Sequence, residues 1–365
     1  MLNNKTIAVV VPSYNEEKQI GVVIETMPSF VDKIIIVNDC SKDNTAEIVK
    51  SYWNTDYNNG IEIKITTENI ITGKFNRAER VLQEQMIDEI KYYLPSEITN
   101  NNPNNERIIL INQLKNGGVG SAIARGYKWC KDYGIDCTAV MAGDGQMDPD
   151  ELESICNPVV FENVDYVKGN RLIHRSALLV IPKIRFLGNS ILSILTKVAS
   201  GYWHVSDTQT GYTAISNKAL NAIRIHEIYK SYGMPNDMLV KLNIAMCTLR
   251  EVEIKPIYDI GEQSKMKIWK VIPRVSWLLF KSFFKRLWLK NLFRDFHPLF
   301  ILYHISFILG IVSLPLFYKV IKLIIIGQEI NPITLLVLGF LMISSLQSLL
   351  FAMWMDIQDN ERLYK

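Results

Sequence analysis

The chain has 365 residues, and 40 Lys and Arg against 37 Asp and Glu leave a formal charge of +3. That length suits one large or two modest domains, and the near balance gives no electrostatic case for nucleic acid as a partner. Five scattered cysteines (Cys40, Cys130, Cys137, Cys156 and Cys247) form no CxxC pair, which argues against a disulfide framework and fits reduced thiols in a cytosolic compartment.

In chain order, the first apolar run, Ile7–Val11, is too short for the core of a signal peptide and is ended by Pro12. A folded domain is therefore expected to begin at once, on the cytoplasmic side. Ile7–Val11 and Lys33–Val37 are continuous β-branched runs of the kind buried on both faces of a parallel sheet. Between them Glu16–Met27 has helical spacing, with Ile20, Val23, Ile24 and Met27 on one stripe. Strand, helix, strand predicts an α/β fold with a doubly wound, mostly parallel sheet. Ile61–Ile65 and Ile108–Ile111 read as further strands, Gly120–Tyr133 as a helix, and Thr138–Met141 as a strand. The stretch 68–106 reads as an insertion on the surface of the sheet domain, with helical spacing over Arg77–Leu94 and a polar turn, TNNNPNN, over Thr99–Asn105.

The sheet domain is expected to occupy residues 1–265. The next segment, 266–297, interleaves Lys281, Lys285, Arg286, Lys290 and Arg294 with Trp277, Phe280, Phe284, Trp288 and Phe293. Basic and aromatic residues at helical spacing suit helices lying in the headgroup layer of a membrane. Two runs free of strong charge follow, Pro298–Tyr318 and Pro332–Met355. The first, about 21 residues at 1.5 Å each, reaches roughly 31 Å, the thickness of a bilayer core. A hairpin of two transmembrane helices is expected, with a tail, 356–365, returned to the starting side. By the flanking basic residues the sheet domain is expected in the cytoplasm, as part of a multi-pass protein of the cell (inner) membrane. Two spans also allow packing with other copies as a homo-oligomer.

Three polar loops follow strand ends: PSYNEE (Pro12–Glu17), NDCSKDNT (Asn38–Thr45) and AGDGQMDPD (Ala142–Asp150). In an open parallel sheet such loops build the ligand crevice. KNGGVGSA (Lys115–Ala122) opens a helix, and its backbone N–H groups could face an anion or simply let a strand and a helix approach closely. Asp148 followed by Pro149 reads as a helix N-cap.

Together with GNR (Gly169–Arg171), SDTQTGY (Ser206–Tyr212) and GEQSKMK (Gly261–Lys267), in this order and spacing, these loops resemble family-2 glycosyltransferases. More narrowly, they resemble the polyprenyl-phosphate sugar transferases, the dolichyl-phosphate mannose synthase-like group. The resemblance implies a GT-A fold and a nucleoside-diphosphate sugar donor. It places Pro12, Tyr14, Glu16 and Asp39 on the nucleotide, with Lys115 and Gly117 beside them. Asn38 stands where the family has the first of two acids. The AGDGQ loop stands where the family holds a divalent ion with Asp-x-Asp-x-Gln. Here Ala142 replaces the first acid, and Asp144 and Gln146 remain as oxygen ligands for Mg²⁺ or Mn²⁺.

On the acceptor side the resemblance puts Arg171 and Arg185 on the phosphate of a polyprenyl phosphate, with Asn189 and Lys265 nearby. A guanidinium suits phosphate because it donates two parallel hydrogen bonds. Asp144, Asp207 and Asp237 are the candidate catalytic acids. A phosphate monoester is mostly a dianion at neutral pH, so Asp207 is expected to orient the acceptor or sugar, not to act as an indispensable base. For Asp237 a first-turn role at a helix start is an equal alternative. The expected reaction is inverting transfer of one sugar, with UDP as the expected carrier, to a polyprenyl phosphate. Two rivals are a glycosyltransferase acting on a hydroxyl of a lipid-linked glycan, with Asp207 or Asp237 as a true base, and an inactive nucleotide-sugar-binding scaffold. Ala142 and Asn38 favour the scaffold; retention of Asp39, Asp144, Gln146, Arg171 and Arg185 opposes it.

Overall fold

The computed structural model describes residues 1–65, 73–257 and 268–365. Lys265 lies outside the described residues. In chain order the sheet domain runs β1 (Ile7–Ser13), α1 (Ile20–Glu25), β2 (Lys33–Asn38), α2 (Thr45–Ser51), α3 (Arg77–Asp88), β3 (Ser96–Ile98), β4 (Ile108–Gln113), α4 (Val119–Asp132) and β5 (Cys137–Val140). It continues through α5 (Leu152–Glu162), β6 (Tyr166–Asn170), α6 (Ala177–Val180), α7 (Lys183–Ser200), β7 (Thr213–Ser216), α8 (Asn217–Ala222), α9 (Met234–Ile244) and β8 (Leu249–Glu253). Three long helices follow: α10 (Ile268–Trp288), α11 (Pro298–Ile326) and α12 (Pro332–Glu361).

The strands form one sheet in the order β3-β4-β2-β1-β5-β7-β6-β8. The half built from β4, β2, β1 and β5 is parallel, and every residue of β2 is buried. Continuous apolar runs go to the centre because helices cover both faces there. One core lies between the sheet and α4, α8 and α9, and the other lies beneath α1 and α5. Beyond β5 the direction changes: β7 is antiparallel to both β5 and β6, and β8 runs parallel to β6.

Three expectations are corrected. Ile61–Ile65 is not a strand. The strand beside β4 at that edge is β3, antiparallel, while Ile61, Ile63 and Ile65 pack on the core from a coil tied by the Ile63 N–H to the Asn104 carbonyl (3.0 Å). The 68–106 stretch is therefore not wholly peripheral, because it supplies an edge strand. Buried Lys33 ties its end down, donating to the carbonyls of Asn104 (2.8 Å) and Glu106 (2.6 Å).

The third correction concerns the basic residues before the first apolar helix. Lys281 and Lys285 are exposed, but Arg286 and Lys290 are buried. Arg286 makes two bonds to fully buried Asp356 (2.7 and 2.8 Å) and donates to the carbonyls of Ala199 and Val198. Lys290 reaches Asn360 (2.6 Å) and Asp359 (3.1 Å), and Asn243 donates to Asn360 (2.7 Å). They face the end of α12 and the sheet domain because each finds an acid or amide there, which a headgroup layer would not guarantee. The tail continues this attachment: Leu249 donates to Leu363, and Lys365 donates back to Leu249, alongside β8.

Helices α11 and α12, 29 and 30 residues long, are long and apolar enough to cross a membrane. They pack on one another, with Ser306 and Ser345 each donating its hydroxyl to the other's carbonyl (2.9 Å both). Most of their apolar side chains stay exposed, as at Leu336 and Ile325. A soluble core helix would bury them.

Candidate active site

Strand direction gathers the motifs at one edge of the sheet. The parallel strands β1, β2 and β5 deliver Ser13, Asn38 and Val140 to the same side, so the three polar loops lie together. They are joined by hydrogen bonds. The Asp39 N–H donates to Ser13, Asn15 N–H to the Ser41 hydroxyl, Glu16 N–H to the Thr45 hydroxyl, and Gly143 N–H to Pro12. Because β7 is antiparallel to β5, the SDTQTGY segment enters its strand where β5 leaves, with Val140 opposite Thr213. Tyr212 donates its hydroxyl to the Asp148 carbonyl (2.9 Å) across that junction. β6 ends on the same side, carrying Asn170 and Arg171, beside the end of β8.

The glycine-rich turn faces an anion, and that anion is Asp39. Its buried carboxylate accepts from the N–H groups of Gly117 (2.6 Å) and Gly118 (2.8 Å). Burial raises the Asp39 carboxyl above its ordinary range, against the pull of those two donors. Asn38 uses its side chain inside the fold, accepting from Ser41 N–H and donating to Asn112. Lys115 is exposed at the turn, and Pro12, Tyr14 and Glu16 are half-buried in the first loop. Gly118 needs its left-handed φ of 83°, and a Cβ on Gly120 would lie 2.1 Å from the Tyr229 carbonyl oxygen. Close approach of α4 to the 229–230 segment is thus part of what these glycines provide.

Asp144 and Gln146 sit on the turn after β5, with Asp144 accepting from Gln146 N–H (3.1 Å) and Gly145 at φ 73°. Both side chains are half-buried at the sheet edge. A carboxylate and an amide oxygen on one short turn fit a hard divalent ion that takes its remaining ligands from a diphosphate and water. Asp148 caps the following turn, accepting from Asp150 N–H (3.0 Å), and pairs with Lys255 (3.1 Å).

Arg171 and Asp207 form one unit. Nε of Arg171 donates to Oδ2 (2.8 Å), Nη2 to Oδ1 (3.1 Å), and the Arg171 N–H to Oδ2 (3.2 Å). The N–H groups of Gln209 and Thr210 add two more donors, both at 3.2 Å. Burial alone would raise the Asp207 carboxyl, but Arg171, Lys168 and the backbone donor outweigh it and hold it below the ordinary carboxylate range. Asp237, in the first turn of α9, accepts from Tyr229 N–H (2.8 Å) and from Lys241, which is the first-turn role the sequence also allows. Arg185 lies in the first turn of α7 and Asn189, half-buried, one turn further on.

The sequence reading passed over Lys168 and Glu251 and gave Asn170, inside GNR, no role of its own; all three are part of the Asp207 surroundings. Glu251 accepts from the N–H groups of Ser206 and Asp207 and from the Asn170 amide. The available signals were a lysine inside an apolar strand, YVKGN, and an acid alternating with apolar residues in LREVE.

The chain matches the model of glycosyl transferase family 2 over residues 8–87 and 89–224. It belongs to that family. This glycosyltransferase is 30% identical over 256 residues to UDP-N-acetylglucosamine–dolichyl-phosphate N-acetylglucosaminyltransferase of Methanococcus voltae, covering 70% of this chain and 87% of the relative. It is 26% identical over 283 residues to a dolichyl-phosphate beta-glucosyltransferase of Trichomonas vaginalis (71% and 65%), and 27% identical over 161 residues to undecaprenyl-phosphate mannosyltransferase of Micrococcus luteus (43% and 64%). Among solved structures, glucosyl-3-phosphoglycerate synthase of Mycobacterium tuberculosis with UDP superposes with a TM-score of 0.47 at 16% identity, covering 78% of this chain and 80% of that one.

Proposed function

We propose that this glycosyltransferase moves one sugar from a UDP-sugar to a polyprenyl phosphate at the cytoplasmic face of a membrane, with inversion at the anomeric carbon. The observation that carries the reading is the shared sheet edge. The donor loops around Asp39 and Asp144 lie at one end, and Arg171 with Asp207 lies beside them. The α6–α7 segment that follows Arg171 packs through α7 on α10, which leads into α11. That segment exposes Leu179, Ile191, Ile194 and Leu195, so an apolar surface adjoins the acceptor side. A lipid phosphate held at headgroup level with its chain in the bilayer suits this arrangement. The names of the three relatives, each a transferase to dolichyl or undecaprenyl phosphate, support the acceptor class, and the Methanococcus relative supports UDP.

The side chains have separable roles. Pro12, Tyr14, Glu16, Asp39 and Lys115 receive the nucleotide, and Gly117 serves them by holding the Asp39 carboxylate through its N–H. Asp144 and Gln146 would hold Mg²⁺ or Mn²⁺, which when bound offsets charge on the leaving diphosphate. Arg171, Arg185, Asn189 and Lys265 receive the acceptor phosphate. A phosphate dianion, whose second pKa is about 6, attacks without a strong base. An Asp207 held ionised by Arg171 fits an orienting group and makes a poor proton acceptor at neutral pH, which disfavours a hydroxyl acceptor.

The test is transfer by purified full-length protein in detergent, using labelled UDP- and GDP-sugars, undecaprenyl phosphate, and Mg²⁺ or Mn²⁺ against chelator. A metal-dependent labelled lipid from a UDP-sugar is expected. Transfer only to a glycan hydroxyl, or from GDP-sugars alone, would overturn the acceptor or donor assignment respectively.

A further inference from the structure

The pairing of Arg171 with Asp207 raises the question of what fixes the pair, since the two residues sit on separate segments 36 positions apart. Asp207 lies in an irregular turn before β7, and Arg171 lies just beyond the end of β6. Neither place is held by a strand ladder. One carboxylate spans the gap. Glu251 on β8 accepts from Ser206 N–H with both oxygens (2.9 and 3.0 Å) and from Asp207 N–H (3.0 Å). Its Oε2 also accepts from the side-chain amide of Asn170 (2.9 Å), whose own oxygen accepts from Leu172 N–H (2.9 Å). Glu251 thus grips the turn carrying Asp207 on one side and the chain around Arg171 on the other. Buried Lys168 secures the far end of the same turn by donating to the Thr210 carbonyl.

We propose that Glu251 is a positioning residue for the acceptor: it fixes Asp207 relative to Arg171 and so sets the guanidinium that receives the acceptor phosphate. The inference rests on the acceptor-side reading given under Proposed function. A carboxylate is needed because every group facing it is a donor. A glutamine offers one acceptor oxygen and turns an NH₂ group toward backbone N–H groups, so contacts on one side of the bridge are lost. Glu251 contacts neither substrate in this scheme, so its removal should leave the donor loops unchanged.

The experiment measures kcat and KM for undecaprenyl phosphate and for the UDP-sugar, with UDP affinity by calorimetry, in wild type, Glu251→Gln, Asp207→Asn and the double variant. Glu251→Gln is expected to raise the acceptor KM roughly tenfold, about what one charge-assisted hydrogen bond is worth. UDP affinity should stay within about twofold. A merely structural role would reduce the active fraction, lowering apparent kcat and leaving both KM values alone. If Glu251 acts through Asp207, the double variant should be little worse than Asp207→Asn, since residues in one network are not additive. An acceptor KM that does not move, or effects that add fully, would overturn the inference while the transfer reading stands. Absence of transfer by wild type would instead remove the reading beneath it. Should Glu251→Gln fail to fold, Asn170→Ala, which cuts only the Arg171 side of the bridge, is expected to raise the same KM by a smaller factor; an unchanged KM there would overturn the inference.

Discussion

Asp207 accepts from at least five donors, and a carboxylate so engaged is held ready to orient rather than to take up a proton. Transfer should therefore show no loss of kcat near neutrality traceable to this residue, and Asp207→Asn should act mainly on the acceptor KM; a pH–rate profile of both proteins checks it. Asp144 has a different task. Asp144→Ala should lower transfer at least about a hundredfold, the scale of losing a group that stabilises developing charge, and should weaken metal-dependent UDP binding while the acceptor KM holds. Calorimetry with and without Mn²⁺ separates those effects. Gly120 tests packing alone. With the Tyr229 carbonyl oxygen only 2.1 Å from where an alanine Cβ would stand, Gly120→Ala forces backbone apart and should cost about 2–3 kcal/mol, read from thermal unfolding in detergent. These residues differ in how they announced themselves. Asp144 stands in a loop whose neighbours carry its chemistry. Glu251 stands in a strand, and only the turn folded onto it from 44 residues away reveals what it does.

The same contrast holds for whole elements. β1 and β2 were legible because strands covered on both faces need only be apolar at their centres, and IAVVV and the IIIV within KIIIVN are. β6, β7 and β8 were not: each has four or five residues, and each is placed by pairing with strands remote in the chain. Ile61–Ile65 misled because an apolar run can serve the core as coil when another segment fills the sheet edge. Lys33 decides how the neighbouring segment is fastened. Its burial lowers the ammonium pKa to about 8, partly offset by Glu106 and Asp32. Between about pH 8 and the ordinary lysine value of 10.5 the unfolded chain binds the proton that the folded one has released, so stability from this group rises with pH across that window and is lost as pH falls back from 10.5 to 8. In Lys33→Met that rise should be missing. Unfolding temperatures of both proteins from pH 7.5 to about 10.5 give the difference, and parallel curves would show that the ammonium is not the group responsible.

At the scale of the molecule, a catalytic domain and an apolar hairpin are joined by charges shielded from water. Arg286 from α10 and Asp356 from α12 are both fully buried, and the guanidinium also satisfies the carbonyls that end α7. Helix periodicity gives no means of telling these basic residues from Lys281 or Lys285, since what separates them is the acid and amide presented by α12 some 70 residues later. Burying a pair is costly, and losing one partner costs more than losing both, because a lone charge is left without water or counterion. Arg286→Met should therefore destabilise the protein by about 3–5 kcal/mol, whereas Arg286→Met with Asp356→Leu should recover most of the loss. Unfolding of both variants in the same detergent measures this. If recovery occurs, the pair contributes little net cohesion, and its value lies in register: only one seating of α12 brings Asp356 to Arg286 and Asn360 to Lys290 together. If the double variant is as weak as the single one, the hydrogen bonds to Ala199 and Val198 carry the attachment, and the charge on Asp356 is secondary.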